Sequence, residues 1–109
     1  MKVFLKEPGK KPVWTDVENV LESLQEAVDG YIETVTLMNH IVLICDESGK
    51  LCGKEPNIRT HWGETVCGTV IVCGAEEDRF TDLRAEYKEP VRKLLERMAV
   101  GRNTRGKHH

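Results

Sequence analysis

Ile41-Val42-Leu43-Ile44-Cys45 is an unbroken apolar run in a chain where charged residues make up 31%. A run of this kind is expected for a strand that is covered on both faces or lies at the centre of a sheet. Other segments join it. Met1 to Lys6 reads as a first strand with Val3 and Leu5 on one side, ended by the proline- and lysine-rich Glu7 to Pro12. Tyr31 to Leu37 is aromatic and β-branched, with Glu33 and the threonines marking a partly wet face. Glu64 to Gly74 reads as a further strand, in which Gly68 signals a bulge or a close backbone contact. Few connections have room for the crossover helix that parallel pairing requires. The expected fold class is therefore α+β: a small, mainly antiparallel sheet of about four to five strands, packed with a helix in the N-terminal half and a kinked C-terminal helix.

The first helix is expected to open at Thr15-x-x-Glu18, a capping-box spacing, and to bury Val17, Val20, Leu21, Leu24 and Val28. Gly30 would close it as a left-handed cap. Gly53 to Gly63 reads as a loop that carries Pro56, Asn57, His61 and Trp62. Thr81 can cap a turn beginning at Asp82, after which Leu83, Tyr87, Val91, Leu94, Leu95 and Met98 make one stripe. Pro90 falls within that stripe and predicts a kink or two helical pieces. Residues 1–100 are expected to form one domain, and 101–109 a disordered tail or the remnant of a purification tag.

A chain of 109 residues with net charge −2 offers no electrostatic footprint for nucleic acid or an anionic membrane. No apolar run approaches the roughly 20 residues that cross a bilayer. Charge follows Met1 too soon for a signal peptide. The expected compartment is the cytoplasm, with the four cysteines as free thiols.

Ile44-Cys45-Asp46-Glu47-Ser48-Gly49-Lys50-Leu51-Cys52-Gly53 concentrates acids, thiols and glycines. Structural zinc sites need ligand pairs two to four residues apart. The cysteines here are separated by six, fourteen and five residues. An EF-hand read from Asp46 would close on Asn57 instead of glutamate. A turn accounts for more: Asp46 and Ser48 can bond nearby backbone, Gly49 would supply a positive φ, and Ile44 and Leu51 would flank a short hairpin. No metal or cofactor is implied.

Cysteine catalysis needs a base or a positive dipole beside an accessible thiol. Cys67 and Cys73 share a face if their strand is regular and oppose one another if it bulges at Gly68. His40 and His61 are the interior histidines, and His61 with Cys67 or Cys73 defines the enzymatic alternative, a cysteine-dependent or hydrolytic activity. The Pro8-Gly9-Lys10-Lys11-Pro12 stretch lacks phosphate-loop spacing. Trp14 and Trp62 read as packing residues before base-stacking platforms.

Several phrases occur in a telling order: Pro8-Gly9-Lys10-Lys11-Pro12, Leu21-x-x-Leu24-Gln25, Gly30-Tyr31-Ile32-Glu33, Glu47-x-Gly49-Lys50-Leu51-x-Gly53 with Asn57, and Gly68-Thr69-x-Ile71-x-x-Gly74. That order resembles a family of small bacterial and phage proteins described only as a domain of unknown function, DUF3846. The resemblance covers about the first three-quarters of the chain and implies an accessory protein of a phage or mobile element. Asp46 stands where the family often has asparagine, and Asp29 where it usually has glycine; both suit turns. The resemblance carries no catalytic residues. It does gather Glu33, Glu47, Lys50 and Asn57 into one candidate polar rim at strand ends, with turn formation and a solvated edge as the plainer alternative. With His61 and Trp62, these residues point to a non-enzymatic module that captures a protein or small-molecule ligand through its loop face. A homodimer is compatible with the amount of apolar surface.

Overall fold

The computed structural model describes residues 1–100; the expected tail at 101–109 lies outside them. In chain order the elements are β1 (Lys2–Lys6), β2 (Val13–Asp16), α1 (Leu21–Val28), β3 (Ile32–Met38), β4 (Ile41–Asp46), β5 (Pro56–Arg59), β6 (Thr65–Cys67), β7 (Val70–Glu76), β8 (Arg79–Thr81) and α2 (Lys88–Met98), with a 3₁₀ turn at Ala85–Tyr87 before α2. The main sheet runs β2-β1-β7-β4-β3, and β8 pairs with the far end of β7. β5 and β6 make a separate two-stranded ribbon. Every pairing is antiparallel, and the α+β class is as the sequence indicates.

The sheet is the middle of three layers. β4 and β7 lie at its centre, and all six residues of β4 are buried, as its apolar run requires. α1 covers one face, where Leu24 and Val28 pack with Val3, Val42, Ile44, Ile71 and Cys73. α2 and the ribbon cover the other, where Val91, Leu95, Ile58 and Val66 pack with Phe4, Leu43, Val70 and Val72. Each such aliphatic side chain contributes about 1.5–3 kcal/mol on burial.

Several local expectations give way to longer-range pairing. Thr15 does not cap α1; it sits in β2 opposite Val3. Met1 and Val17 exchange two hydrogen bonds of 2.9 Å, which holds the segment beside β1 and delays the helix until Leu21. Val17 still reaches the core, while Val20 and Leu21 are exposed. Glu18 instead accepts from Ser23 Oγ at 3.1 Å. The left-handed residue at the end of α1 is Asp29, with φ 60°, not Gly30. Gly30 is required for space, since a Cβ there would collide with the Asp46 carboxylate.

The hairpin expected around Gly49 is absent. β4 pairs with β3 and β7, and a series of turns follows it in which Leu51 is exposed. Gly49 has no positive φ; a Cβ at this position would lie 2.6 Å from the Cys67 carbonyl oxygen. The expected loop at 53–63 contains β5. The expected strand at 64–74 breaks at Gly68, whose φ of 89° sends β6 and β7 into different sheets. Thr81 belongs to β8 and caps nothing, whereas Asp82 Oδ1 accepts from the Lys2 amide at 2.8 Å. Pro90 is the third residue of α2, in the first turn, where the amides lack intrahelical partners in any case. The C-terminal helix is accordingly a 3₁₀ piece followed by an α piece.

Candidate functional site

Two polar features occupy the ribbon-covered face. The first is sealed. Asn57 on β5 has no exposed surface, and its side-chain amide donates to the carbonyls of Lys6 and Gly68, both at 2.8 Å. Its Oδ1 accepts from Lys6 Nζ at 2.5 Å. Lys6 alternates with Leu5 along β1, so it points to the ribbon side beside Phe4; it is 2% exposed, and burial pulls its pKa below the ordinary lysine value. The carbonyl of Asn57 accepts from the Val100 amide at 2.8 Å, next to an Ile58–Ala99 bridge. One residue thus joins the ribbon to β1, to the Gly68 break and to the chain leaving α2.

The second feature is open. Where the ribbon stops short of edge strand β3, a cleft of about 290 Å³ remains. Glu33 and Val35 of β3, Cys45 and Asp46 of β4, Glu47, Lys50 and Leu51 of the following turns, and Glu64, Thr65, Val66 and Cys67 around β6 line it. Cys45, Asp46 and Cys67 are buried, while Glu33, Glu47, Glu64 and Lys50 are exposed. Among the described residues, Glu33, Glu47, Glu64 and Lys50 take part in no ion pair. The field is felt at the floor. Burial first, then the charges of Glu33, Glu64 and Asp46, push the Cys45 thiol up to about 11.

A third group holds the turns that carry Glu47 and Lys50. Lys54 Nζ lies 2.7 Å from Asp46 Oδ2 and donates to the carbonyls of Val28 (3.0 Å) and Asp29 (2.5 Å) at the end of α1. A cation there satisfies helix-terminal carbonyls and opposes the negative end of the helix dipole. Asp46 Oδ1 also accepts from the Ser48 amide at 3.0 Å. Burial alone would raise the Asp46 pKa, but the Lys54 hydrogen bond, the Ser48 amide and the Lys54 charge together bring it below the ordinary value. Asp46 therefore braces the turn, and the turn presents Glu47 and Lys50 at the rim.

Of the six candidate binding residues, Glu33, Glu47 and Lys50 meet at the cleft. Asn57 is the buried joint. His61 and Trp62 lie exposed in the turn between β5 and β6, edge to face at 4.5 Å, away from the lining. Cys67 borders the cleft, and Cys73 lies under α1 on the opposite face, its thiol pushed up to about 12 by burial. No hydrogen bond joins either thiol to His61 among the described residues. Sequence reasoning missed Glu64 and Cys45 as site residues; the sign that leads to Glu64 is Gly68, because the break there folds Glu64 across from Glu33. Among the described residues no group of three or more His, Cys, Asp or Glu side chains is placed to hold a metal ion, and no helix is long and apolar enough to cross a membrane.

The family model described as "Domain of unknown function (DUF3846)" matches residues 1–98. The chain belongs to this family. The match extends through α2, beyond the three-quarters over which the resemblance was legible, so the C-terminal helix is part of the family domain and no appendage. No curated protein and no solved structure matches the chain significantly.

Proposed function

We propose that this member of the family is a non-enzymatic binding module whose cleft receives a cationic group, an amine or guanidinium, borne by a protein or small-molecule ligand. One observation carries the reading: Glu33, Glu47 and Glu64 converge on a concave, apolar-floored space with no ion pair among the described residues, whereas the buried Asp46 is closely paired. A cation entering there gains charge-assisted hydrogen bonds worth about 1.5–3 kcal/mol each. Among the described residues no hydrogen bond joins Cys67 to His61, and the Cys45 thiol is moved away from thiolate formation; both favour binding over cysteine-dependent hydrolysis. The same reading makes the protein a cytoplasmic accessory protein of a phage or mobile element. Its support is the phrase order shared with such proteins and four free thiols, three of them buried.

Calorimetric titration with arginine amide tests the reading. The expected result is saturable binding with Kd of about 0.1–1 mM, weakened by salt and by Glu33→Gln with Glu64→Gln. Absence of saturable binding by both arginine amide and lysine amide would overturn it.

A further inference from the structure

The two edges of the main sheet are unlike. β2 is four residues long and preceded by Lys10, Lys11 and Pro12, features that discourage pairing with another chain. Its Trp14 lies against Phe4 and under the Lys88 ammonium. β3 is seven residues long, contains no proline and carries Glu33 as its one charge. No described strand pairs with its outer side.

The register identifies what that edge offers. The Glu47 amide donates to the Tyr31 carbonyl at 2.9 Å, so Tyr31 points its backbone groups at β4. Antiparallel alternation then turns Glu33 and Val35 the same way and aims the N–H and C=O groups of Ile32, Thr34 and Thr36 at the open side. On the cleft face, the side chains of this strand are Glu33 and Val35, which are themselves part of the lining. An added strand would therefore pass beside the cleft, with alternate side chains directed into it.

We infer that an extended segment of another protein, bearing lysine or arginine, adds antiparallel to β3 and seats that basic side chain in the cleft opposite Glu33. The inference rests on the cleft reading and adds the class of ligand. Charge chooses the occupant. A second copy paired here would bring two sets of Glu33, Glu47 and Glu64 to one face across the two-fold axis, whereas a basic segment offsets one set. Antiparallel addition also continues the pattern of every existing pair and is the more stable arrangement per residue.

The probe is a dye-labelled, capped seven-residue peptide of alternating threonine and valine with arginine at its centre, followed by fluorescence anisotropy. With arginine opposite Glu33, its own amide points away from β3 and those of its two neighbours point toward it. N-methylation of the two neighbours should weaken binding at least tenfold, and N-methylation of the arginine amide less than about twofold. In the protein, Thr34→Pro removes an edge-facing N–H without breaking a bond to β4. It should weaken the peptide to the same degree and leave arginine amide binding intact. Equal effects of the two methylation patterns, or a peptide bound no better than arginine amide, would overturn the inference and leave the cleft reading standing. Binding of neither probe removes both. A dimer of the protein alone that Thr34→Pro dissolves, seen by light scattering, would overturn the inference in favour of a second copy.

Discussion

The Lys6–Asn57 joint and the carboxylate cleft lie on the same face of one sheet and are built from similar polar residues. In the joint, a primary amide makes three hydrogen bonds with no exposed surface, so its polarity is consumed by holding three segments together. In the cleft, the exposed carboxylates of Glu33, Glu47 and Glu64 converge and none takes part in an ion pair among the described residues, while the buried Asp46 beside them is held by Lys54. The comparison teaches that proximity in sequence to a glycine-rich turn does not decide whether a polar residue is structural. The decisive quantity is whether its hydrogen-bonding capacity is already filled.

The largest effect should come from breaking the joint. Asn57→Leu leaves the Lys6 ammonium and two buried carbonyls without their partner, at about 1–3 kcal/mol for each stranded group, and is expected to destabilise by about 3–5 kcal/mol in urea unfolding. A loss below about 1 kcal/mol would mean that the joint does not hold the ribbon. Next comes the node that supports the rim. Asp46→Asn removes one partner of a largely buried ion pair and should cost about 1–3 kcal/mol near neutral pH. Because the folded Asp46 pKa is lowered, its contribution is present above the unfolded value of 3.8 and fades as pH falls through the folded one. The variant should therefore lose less stability on acidification than the parent, as checked by melting temperature against pH.

Lys6 sharpens the contrast at the opposite end of the pH scale. Its folded pKa is lowered, so the unfolded chain holds the proton more tightly, and stability should rise as pH climbs toward 10.5. Lys6→Met should flatten that rise in melts between pH 8 and 10.5. The smallest change belongs to the rim: Glu47→Gln should alter stability by no more than about 0.5 kcal/mol while weakening arginine amide several-fold.

The central strands were legible because their apolar runs admit few alternatives, and the α2 stripe because Val91, Leu95 and Met98 recur at helical spacing. The Thr15–Glu18 capping signal misled because β2 pairs with β1, a contact that local spacing does not encode. Glu33, Glu47 and Lys50 could be named from turn chemistry and family phrases. Cys45 could not, since its place in the cleft depends on strand order, and Glu64 was signalled only by the glycine at 68, whose break brings it there. Asn57 was visible as a notable polar residue, but its burial follows only from where β5 docks.

The most direct test of the division between sealed joint and open cleft is an amide NMR titration of the intact protein with arginine amide. The expected result is saturable shifts at Glu33, Cys45, Glu47 and Glu64–Cys67, with Asn57 and His61 unmoved. Shifts centred on the His61–Trp62 turn, or a spectrum that does not change, would contradict the account.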